Sequence, residues 1–434
     1  MATPATEGYD HLVALRRDLH RHPEPAWCEF YTTARVLEAV EAVGVDALYV
    51  GAEALGGERK ALPDDETLDR WFQQALDDGA DADRLEALRG GWTGAIAVLE
   101  RGEGPTVGLR VDIDALPRPE SDDPAHVPAA EGFRSAHEGA MHACGHDAHA
   151  AIGVGVLEAV AASDFRGTLK VCFQPAEERI GGGKPMAESG LLDDVDALFA
   201  VHVGLDHPTG TVVCGVGGFL AVSDFRAEFA GEGAHAAADP DAGRNAVLAL
   251  ATAVQNLYAI PRHADGATRV NAGVVGGGTA SNIIAERAFV QGEVRGETTA
   301  LMESMRSRAT TVLEAAAVMH GCEVTVATGA TAPSAESDQA LVDLVGDVAG
   351  SVPGVDAVVP RADLGASEDA TYLMARVQAN GGLACYVGVG TDHPGGHHSA
   401  TFDVDEASIP IGVQVLARAI EAVGRSELEP QLSG

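Results

Sequence analysis

Side chains that bind transition metals are crowded into one short stretch of this chain. Residues 141–149 read Met-His-Ala-Cys-Gly-His-Asp-Ala-His and carry one thiol, three imidazoles and one carboxyl group. Cys144 and His146 are two residues apart, so an extended or turning backbone can direct both at one point. Crowded histidines would repel one another if charged, and a metal ion binds the neutral imidazole instead. The stretch therefore predicts a transition-metal site.

Two carboxyl groups and a further imidazole follow short apolar segments that we predict to be strands. Glu177 and Glu178 come after residues 168–173, and His202 ends residues 197–202. Sites in open α/β sheets gather at these carboxyl ends. Adjacent carboxylates on extended backbone point to opposite sides, so one can bind a metal while its neighbour faces the substrate as a base for water. This arrangement is typical of a metallohydrolase.

Each of these residues also has an interpretation that needs no metal. A buried free cysteine is normally a small apolar filler, a lone histidine is more often a core residue, and a Glu-Glu pair in an acidic chain is often a solvated loop. Asp112 and Asp114 share one face of a strand end by the period of two. They fit either carboxylates that hold a ligand imidazole in one tautomer or a turn. The clustering of metal-binding side chains favours the metal site.

Further polar residues stand in the second half of the chain. His235 ends the segment Gly-Glu-Gly-Ala-His at 231–235, and Asn282 follows the glycine run 276–278. Both could stabilise an oxyanion, and Arg295 could hold a substrate carboxylate by paired hydrogen bonds. The glycine run 276–278 precedes no predicted helix and no Walker lysine. We therefore interpret it as a tight connection, and neither a phosphate loop nor a dinucleotide fingerprint is indicated.

Hydrophobic periodicity predicts an α/β fold that can position these residues. Helices alternate with short apolar strands through residues 1–217 and again through 331–434, which predicts a catalytic domain with a mostly parallel sheet covered on both faces. A polar stretch at about 52–91 reads as a surface insertion in that domain. Residues 218–330 show the order β-α-β-β-α-β of a ferredoxin-like unit, which predicts a second domain inserted into the first.

The charge of the chain excludes a nucleic-acid partner. Among 434 residues, Asp and Glu number 65 against 29 Lys and Arg, giving a net charge of −36. A nucleic-acid footprint needs clustered positive charge. We expect a solvated acidic surface that is best tolerated at high ionic strength, where salt screens its self-repulsion.

The six cysteines form no Cys-x-x-Cys pair, so neither a zinc ribbon nor a disulfide framework is indicated. No apolar run is long enough to span a bilayer, and the first twenty residues lack a secretory apolar core. We expect a cytoplasmic protein with no membrane partner.

Seven motifs, taken in order, resemble the aminoacylase and indole-acetyl-amino-acid hydrolase branch of the dinuclear metallopeptidase superfamily. The similarity runs from about residue 10 to 423. It is carried by Leu-His-Arg-His-Pro-Glu at 19–24, Asp-Ile-Asp-Ala-Leu-Pro at 112–117, Met-His-Ala-Cys-Gly-His-Asp at 141–147, Gln-Pro-Ala-Glu-Glu at 174–178, Gly-Ala-His at 233–235, Ser-Glu-Asp at 367–369 and His-His at 397–398. The insertion and residues 90–94, 211–215 and 367–371 are most similar to the A-subunit group of p-aminobenzoyl-glutamate hydrolases.

The resemblance implies a ligand set and a reaction. Two divalent ions, zinc, manganese, cobalt or nickel, are implied to be held by Cys144, His146, Glu178, His202 and His398. His398 is chosen over its neighbour because it keeps the family's spacing to the Phe-Asp pair at 402–403. Glu177 is implied as general base and acid, with Asp114 beside it. His235 is implied to reach the active site of the other subunit of a homodimer built through the inserted domain, and Asn282 and Arg295 match positions that contact substrate.

Two departures from the family pattern bear on these implications. Asp112 stands where the wider superfamily has a ligand histidine, as in the whole cysteine-bearing branch, so ligation must be shared differently. Arg179 follows the glutamate doublet at a position where relatives usually have glycine. We expect this arginine to change how the pocket binds an anionic substrate.

The expected function is metal-dependent hydrolysis of the amide bond of a small N-acyl or N-aroyl amino acid, giving a carboxylic acid and an amino acid. A rival hypothesis is a metal-binding or scaffold subunit without catalysis, which supports an active and homologous partner. The presence of Glu177 argues against it.

Overall fold

The computed structural model describes residues 8–393 and 395–425, and the chain divides into two compact units. The first unit runs to Gly217 and takes in Ala335–Leu364 and the chain from Asp369 onward. The second unit consists of Gly218–Ser334 and Gly365–Glu368. The second unit is thus an insertion in the sequence of the first.

The helices are α1 (Asp10–Arg21), α2 (Phe30–Val43), α3 (Asp65–Asp77), α4 (Ala82–Leu88), α5 (Val127–Glu131), α6 (His146–Ala161), α7 (Gly183–Ala187), α8 (Ala246–Tyr258), α9 (Thr299–Met319), α10 (Gln339–Ala349), α11 (Ala370–Ala379) and α12 (Ser408–Gly424). The strands are β1 (Ala47–Val50), β2 (Ala95–Glu100), β3 (Thr106–Asp112), β4 (Thr168–Gln174), β5 (Ala197–Val203), β6 (Thr211–Gly217), β7 (Ala221–Ala230), β8 (Thr268–Gly277), β9 (Arg287–Gly296), β10 (Glu323–Ala332), β11 (Ala357–Val359), β12 (Ala362–Asp363) and β13 (Leu383–Val389). Short 3-10 turns cover Gly51–Glu53 and Glu177–Arg179.

The first unit is built on one sheet with the strand order β1-β2-β4-β3-β5-β13-β6-β11, and β12 also pairs with β6. The central pairs β4-β3, β3-β5 and β5-β13 are parallel. The edge pair β1-β2 and the pairs β2-β4 and β13-β6 are antiparallel. The predicted α/β fold with a mostly parallel central sheet is confirmed. Parallel central strands bring the carboxyl ends of β3, β4 and β5 to one edge.

Helix α6 is buried along most of its length, because residues 150–157 are apolar or glycine on every side and its polar residues His146, Asp147 and His149 are buried in its first turn. Glycine is needed where α6 packs closely against the sheet, because a Cβ on Gly153 would lie 2.9 Å from the ring of Phe173. Helix α6 packs on α12 and α1. The helix begins at His146, and its preceding residue, Gly145, has a φ of 87° that favours glycine.

The predicted surface insertion forms helices α3 and α4. Their N-termini are capped by the carboxylates of Asp64 and Asp81, which accept backbone N–H bonds in the first turn. A separate apolar cluster holds the insertion on the first unit; it contains Cys28, Phe30, Tyr31, Ala34, Leu68, Phe72, Ala75, Ala80, Leu85 and Leu88.

The second unit is a four-stranded antiparallel sheet with the order β10-β7-β9-β8, and its chain order is β-α-β-β-α-β. Helices α8 and α9 pack on the sheet, where Phe229, Val290 and Leu313 are buried. Strand β8 lies at one edge of the sheet.

Across the described ranges we find no helix that combines the length and the apolar character needed to cross a bilayer.

Candidate metal centre

Three predicted ligands and Asp112, which was predicted to orient a ligand imidazole, converge at the carboxyl edge of the parallel strands. Asp112 is the last residue of β3, and His202 lies next to the last residue of β5. Cys144 and His146 reach the same edge from the loop before α6 and from its first residue. All four side chains are buried. Sheet topology therefore assembles residues that are far apart in sequence.

Three of these side chains can bind one cation. Donor atoms of Cys144, His146 and His202 all lie within 4.8 Å of one another. The Sγ atom of Cys144 is 3.4 Å from Nε2 of His202. Thiolate and imidazole are the donors that zinc and neighbouring transition metals prefer.

A second group shares the same thiol. Donor atoms of Cys144, Glu178 and His398 lie within 4.8 Å of one another, and Nε2 of His398 is 3.5 Å from a carboxylate oxygen of Glu178. Because Cys144 belongs to both groups, its sulfur can bridge two adjacent cations. The structure thus brings together the five side chains that the sequence predicts as ligands.

Hydrogen bonds fix the tautomers of two of the histidines. Nδ1 of His146 donates to the carbonyl oxygen of Asp114 at 2.9 Å, and Nδ1 of His202 donates to the carbonyl oxygen of Val203 at 2.7 Å. Each ring therefore presents a lone pair on Nε2. Nε2 of His146 is buried and has no hydrogen-bond partner within residues 8–393 and 395–425. A buried lone pair of this kind fits a divalent metal ion.

His149 has the same tautomer, but its Nε2 lone pair is already used in a hydrogen bond. The backbone N–H of Val203 donates to its Nε2 at 2.8 Å, so Nδ1 carries the hydrogen and donates to Asp112 at 2.5 Å. Arg110, fully buried, donates to the other oxygen of Asp112 at 2.7 Å and also contacts Asp369 at 3.2 Å. Since both nitrogens of His149 are engaged, it holds the end of β5 in place beside His202.

The glutamate doublet does not lie on extended backbone, as the sequence analysis assumed. Glu177–Arg179 is a 3-10 turn, and the preceding Ala176 has a φ of 57°. Asp114 accepts the backbone N–H groups of Glu177 and Glu178, each at 3.0 Å. Oε2 of Glu177 is 3.9 Å from Nε2 of His146. The tight turn, rather than strand alternation, directs the two carboxylates differently.

The electrostatic environment acts in opposite directions on two of the crowded imidazoles, favouring the neutral form of His202 and positive charge at His146. Burial, followed by the neighbouring His149 and His397, lowers the pKa of His202 well below its usual range. Burial also acts to lower the pKa of His146, but the charges of Asp112 and Cys144 and the hydrogen bond to Asp114 together outweigh it and raise that pKa well above its usual range. The low pKa of His202 agrees with the expectation that crowded imidazoles are neutral, whereas the raised pKa of His146 shows that its surroundings attract positive charge.

Glu29 is a buried residue at this site that the sequence analysis missed. One oxygen accepts backbone N–H bonds from Trp27 and Ala176, and the other accepts the hydroxyl of Thr93 at 2.6 Å. Burial and the charge of Asp114 raise the pKa of Glu29 to about 8. Glu29 thus fixes the residue before Glu177. A carboxylate inside the apolar run 26–31 was the signal available in the sequence.

The remaining predicted site residues lie in the second unit. His235 is exposed, and its Nδ1 accepts the backbone N–H groups of Ala237 and Ala238, so Nε2 carries the hydrogen. The segment of Asn282 runs beside it, with Asn282 O accepting the N–H of Ala236 at 3.0 Å. Arg295 makes a two-bond ion pair with Glu293. His235 and Asn282 are neighbours, and their roles stay predictions.

Comparison with known proteins decides the family. The model of the peptidase family M20/M25/M40 matches residues 108–422. The chain belongs to this family. The match contains both groups of donor residues, from Cys144 to His398.

Members and relatives of the M20/M25/M40 family match this chain over nearly its full length. It is 43% identical to the indole-3-acetyl-aspartic acid hydrolase of Enterobacter agglomerans, over 94% of each chain. It is 42% identical to the A-subunit of p-aminobenzoyl-glutamate hydrolase from Escherichia coli, again over 94% of each chain. The crystal structure of the aminobenzoyl-glutamate utilization protein from Klebsiella pneumoniae superimposes with a TM-score of 0.80 at 37% identity, covering 96% of each chain. The predicted branch and the predicted hydrolase class are confirmed.

Proposed function

We propose that this chain is a metal-dependent amidohydrolase that cleaves N-acyl or N-aroyl amino acids to a carboxylic acid and an amino acid. One observation carries the proposal: two groups of donor atoms share Cys144, and a further carboxylate, Glu177, stands 3.9 Å from Nε2 of His146. Glu177 falls outside the two groups that share Cys144, although its carboxylate also lies within 4.8 Å of donor atoms of His146 and Glu178. A carboxylate in that position can exchange protons with the reactants.

The chemistry divides between the ions and the chain. Two divalent ions, when bound by Cys144, His146, His202, Glu178 and His398, would lower the pKa of water and polarise the amide carbonyl. Glu177 takes the proton from the attacking water as general base. Glu177 then gives that proton to the leaving amine nitrogen as the C–N bond breaks. Asp114 keeps the carboxylate in place through the backbone of the turn.

The substrate class follows from the relatives and from three residues of the second unit. The two relatives above are named for hydrolysis of an indole-acetyl-aspartate and a p-aminobenzoyl-glutamate. We propose that Arg295 binds the substrate carboxylate, which requires exchange of its present partner Glu293. Asn282 and the exposed Nε2–H of His235, from a second copy of the chain, are proposed to stabilise the oxyanion.

The activity is tested by a hydrolysis screen of N-acyl and N-aroyl amino acids, p-aminobenzoyl-glutamate included, at low and high salt with zinc, manganese, cobalt or nickel added back. We expect amide cleavage with at least one metal, and an acidic surface predicts a gain at high salt. Glu177→Gln should keep its metal and lose turnover about 100- to 10,000-fold. Retained turnover in that variant would remove the base assignment, and metal binding without any hydrolysis would favour the rival scaffold hypothesis.

We further propose that the chain assembles as a homodimer through the second unit or, as the alternative, with a homologous partner chain. Strand β8 is an edge strand on which Val274 and Val275 are 51% and 54% exposed, and Leu248 and Tyr258 of α8 are also about half exposed. A long apolar edge of this kind pairs readily with its own copy. Light scattering should show that Val275→Lys shifts the protein towards the monomer, while Val318→Lys, at a 78% exposed position of α9, does not.

We also propose a cytoplasmic location, because all six cysteines are free and buried, as expected in a reducing compartment.

A further inference from the structure

His397 and His398 are adjacent in sequence but are held in different ways. His398 has a φ of 59°, and its ring is directed to Glu178. The ring of His397 approaches Cys144 instead, with Nδ1 at 3.7 Å from the sulfur. The left-handed backbone at His398 is what separates the two rings.

One hydrogen bond decides the tautomer of His397. The backbone N–H of Leu205 donates to its Nε2 at 3.2 Å. A backbone N–H can only donate, so Nε2 must carry a lone pair and Nδ1 must carry the hydrogen. The atom that faces the sulfur of Cys144 is therefore an N–H donor, whereas the atom of His202 that faces the same sulfur is an acceptor.

The surroundings of His397 hold the ring in this orientation. The ring packs against Phe402, with centroids 5.0 Å apart, and against His202 at 5.3 Å. A Cβ at Gly204 would lie 2.7 Å from Nε2 of His397, so the close approach requires glycine there. Leu205 has a φ of 52°, and this turn aims its N–H at the ring.

We propose that His397 is not a ligand but a positioning residue that donates an Nδ1–H···Sγ hydrogen bond to the thiolate of Cys144. This inference rests on the proposed function, because it takes Cys144 to be a metal ligand. The donor offsets part of the negative charge of a sulfur shared by two cations. With His397 in this role, His398 is the histidine ligand beside Glu178. Partners of this kind, which touch a ligand but not the metal, usually change metal affinity by about 10- to 100-fold.

The test uses cobalt(II) alone as the probe, because a thiolate bound to cobalt gives a charge-transfer absorption band whose energy reports the charge on sulfur. His397→Phe keeps a ring against Phe402 and removes the donor. We expect this variant to bind two equivalents of cobalt about 10- to 100-fold more weakly and to show the band at longer wavelength. His397→Asn places an amide N–H near the position of Nδ1, and we expect the band to return towards its wild-type position.

Several outcomes would overturn the inference. The band of His397→Phe would stay in place if no N–H contacts the sulfur. Loss of one cobalt equivalent in His397→Phe, with both equivalents kept in His398→Ala, would make His397 the ligand. Absence of the band from the wild-type protein would instead remove Cys144 from the ligand set of the proposed function, so the two failures are distinguishable.

A measurement on the unaltered chain covers the case in which His397→Phe does not fold. Histidine ¹⁵N spectra of the zinc-loaded wild-type protein should show His397 with a protonated Nδ1 and an unmetallated Nε2, with the signal assigned by its loss in His397→Asn. A metal-bound nitrogen on His397 would contradict the inference.

Discussion

The Oδ1 atom of Asp114 lies 3.0 Å from the backbone nitrogen of Glu177, and Oδ2 lies at the same distance from the nitrogen of Glu178. One carboxylate thus holds both halves of the doublet, while the carbonyl oxygen of Asp114 accepts the hydrogen bond from His146. The proposed base and two proposed ligands are oriented by a single residue.

Asp114→Asn should therefore reduce activity without removing a ligand. The amide can accept only one of the two backbone N–H groups, and its NH₂ faces the other. We expect kcat and metal affinity each to fall by about 10- to 100-fold. Steady-state kinetics and a chelator competition measure both effects. The control is Asp122→Asn, at an exposed position, which should change neither. An unchanged kcat in Asp114→Asn would contradict the positioning role.

Part of this arrangement could be read from the sequence and part could not. The α/β fold follows from the alternation of short apolar segments with helices. The crowding of metal-binding residues between 141 and 149 indicates Cys144 and His146, whereas the full set of five ligands was implied by the resemblance to the family. The roles of His149 and His397 could not be predicted, because the tautomer of each depends on a backbone N–H, of Val203 or Leu205, that only the folded chain brings near. The 3-10 turn at Glu177 was missed because two left-handed residues, Ala176 and Ile180, flank it.

Buried Arg110 provides a test of the charged network beneath the site. Its partners Asp112 and Asp369 are also fully buried, so removing the guanidinium leaves two buried carboxylates without their counter-charge. Arg110→Met should lower the free energy of unfolding by about 3–5 kcal/mol. The matched control is Arg376→Met in the same unit, whose ion pair with Asp193 is nearly half exposed and should cost about 0–1 kcal/mol. Equal costs in urea titrations would contradict a buried role for Arg110.

Asp18 contributes to the loss of folding stability that we expect at acidic pH. Burial raises the pKa of this carboxyl, but the hydrogen bonds from His22, Arg35 and Tyr31 outweigh it and lower the pKa from 3.8 to about 2. Because the pKa is lower in the fold than in the unfolded chain, the stabilisation is present above about pH 3.8 and is lost as the pH falls to about 2.

Asp18→Asn should therefore destabilise the protein at pH 7 and lose that difference at pH 2. The side chain of Asp18 is 27% exposed, so after solvent screening we expect a loss of about 1 kcal/mol at pH 7. Denaturant titrations of both proteins between pH 2 and 7 measure it. A difference that stayed constant over this range would show that the charge of Asp18 is not involved.

Metal removal should destabilise the first unit. The lone pairs of His146 and His202 and the thiol of Cys144 are fixed in the fold, so an ion that binds them binds the folded chain. At a free metal concentration about 100 times the dissociation constant, binding adds about 2.7 kcal/mol of stability. We expect chelation to lower the melting temperature and cobalt to restore it. Cys144→Ser should show a smaller response, and an equal response in that variant would argue against the shared thiolate.

We expect Arg179 to influence which N-acyl amino acids the protein binds as substrates. It is exposed and follows Glu178 directly, at the end of the turn that carries the doublet. A guanidinium there attracts anionic substrates, and an exposed charge pair contributes up to about 1 kcal/mol.

Arg179→Gly should therefore raise KM for an N-aroyl-glutamate about three- to five-fold, with a smaller effect on the N-aroyl-alanine and little effect on kcat. Lys184→Ala removes a partly exposed cation of α7, whose partner is Glu188, and serves as the control. Since salt screens such an attraction, the difference between wild-type and Arg179→Gly should shrink at 1 M salt, where the Debye length is about 3 Å. A KM ratio that is the same for both substrates would mean that Arg179 does not sense substrate charge.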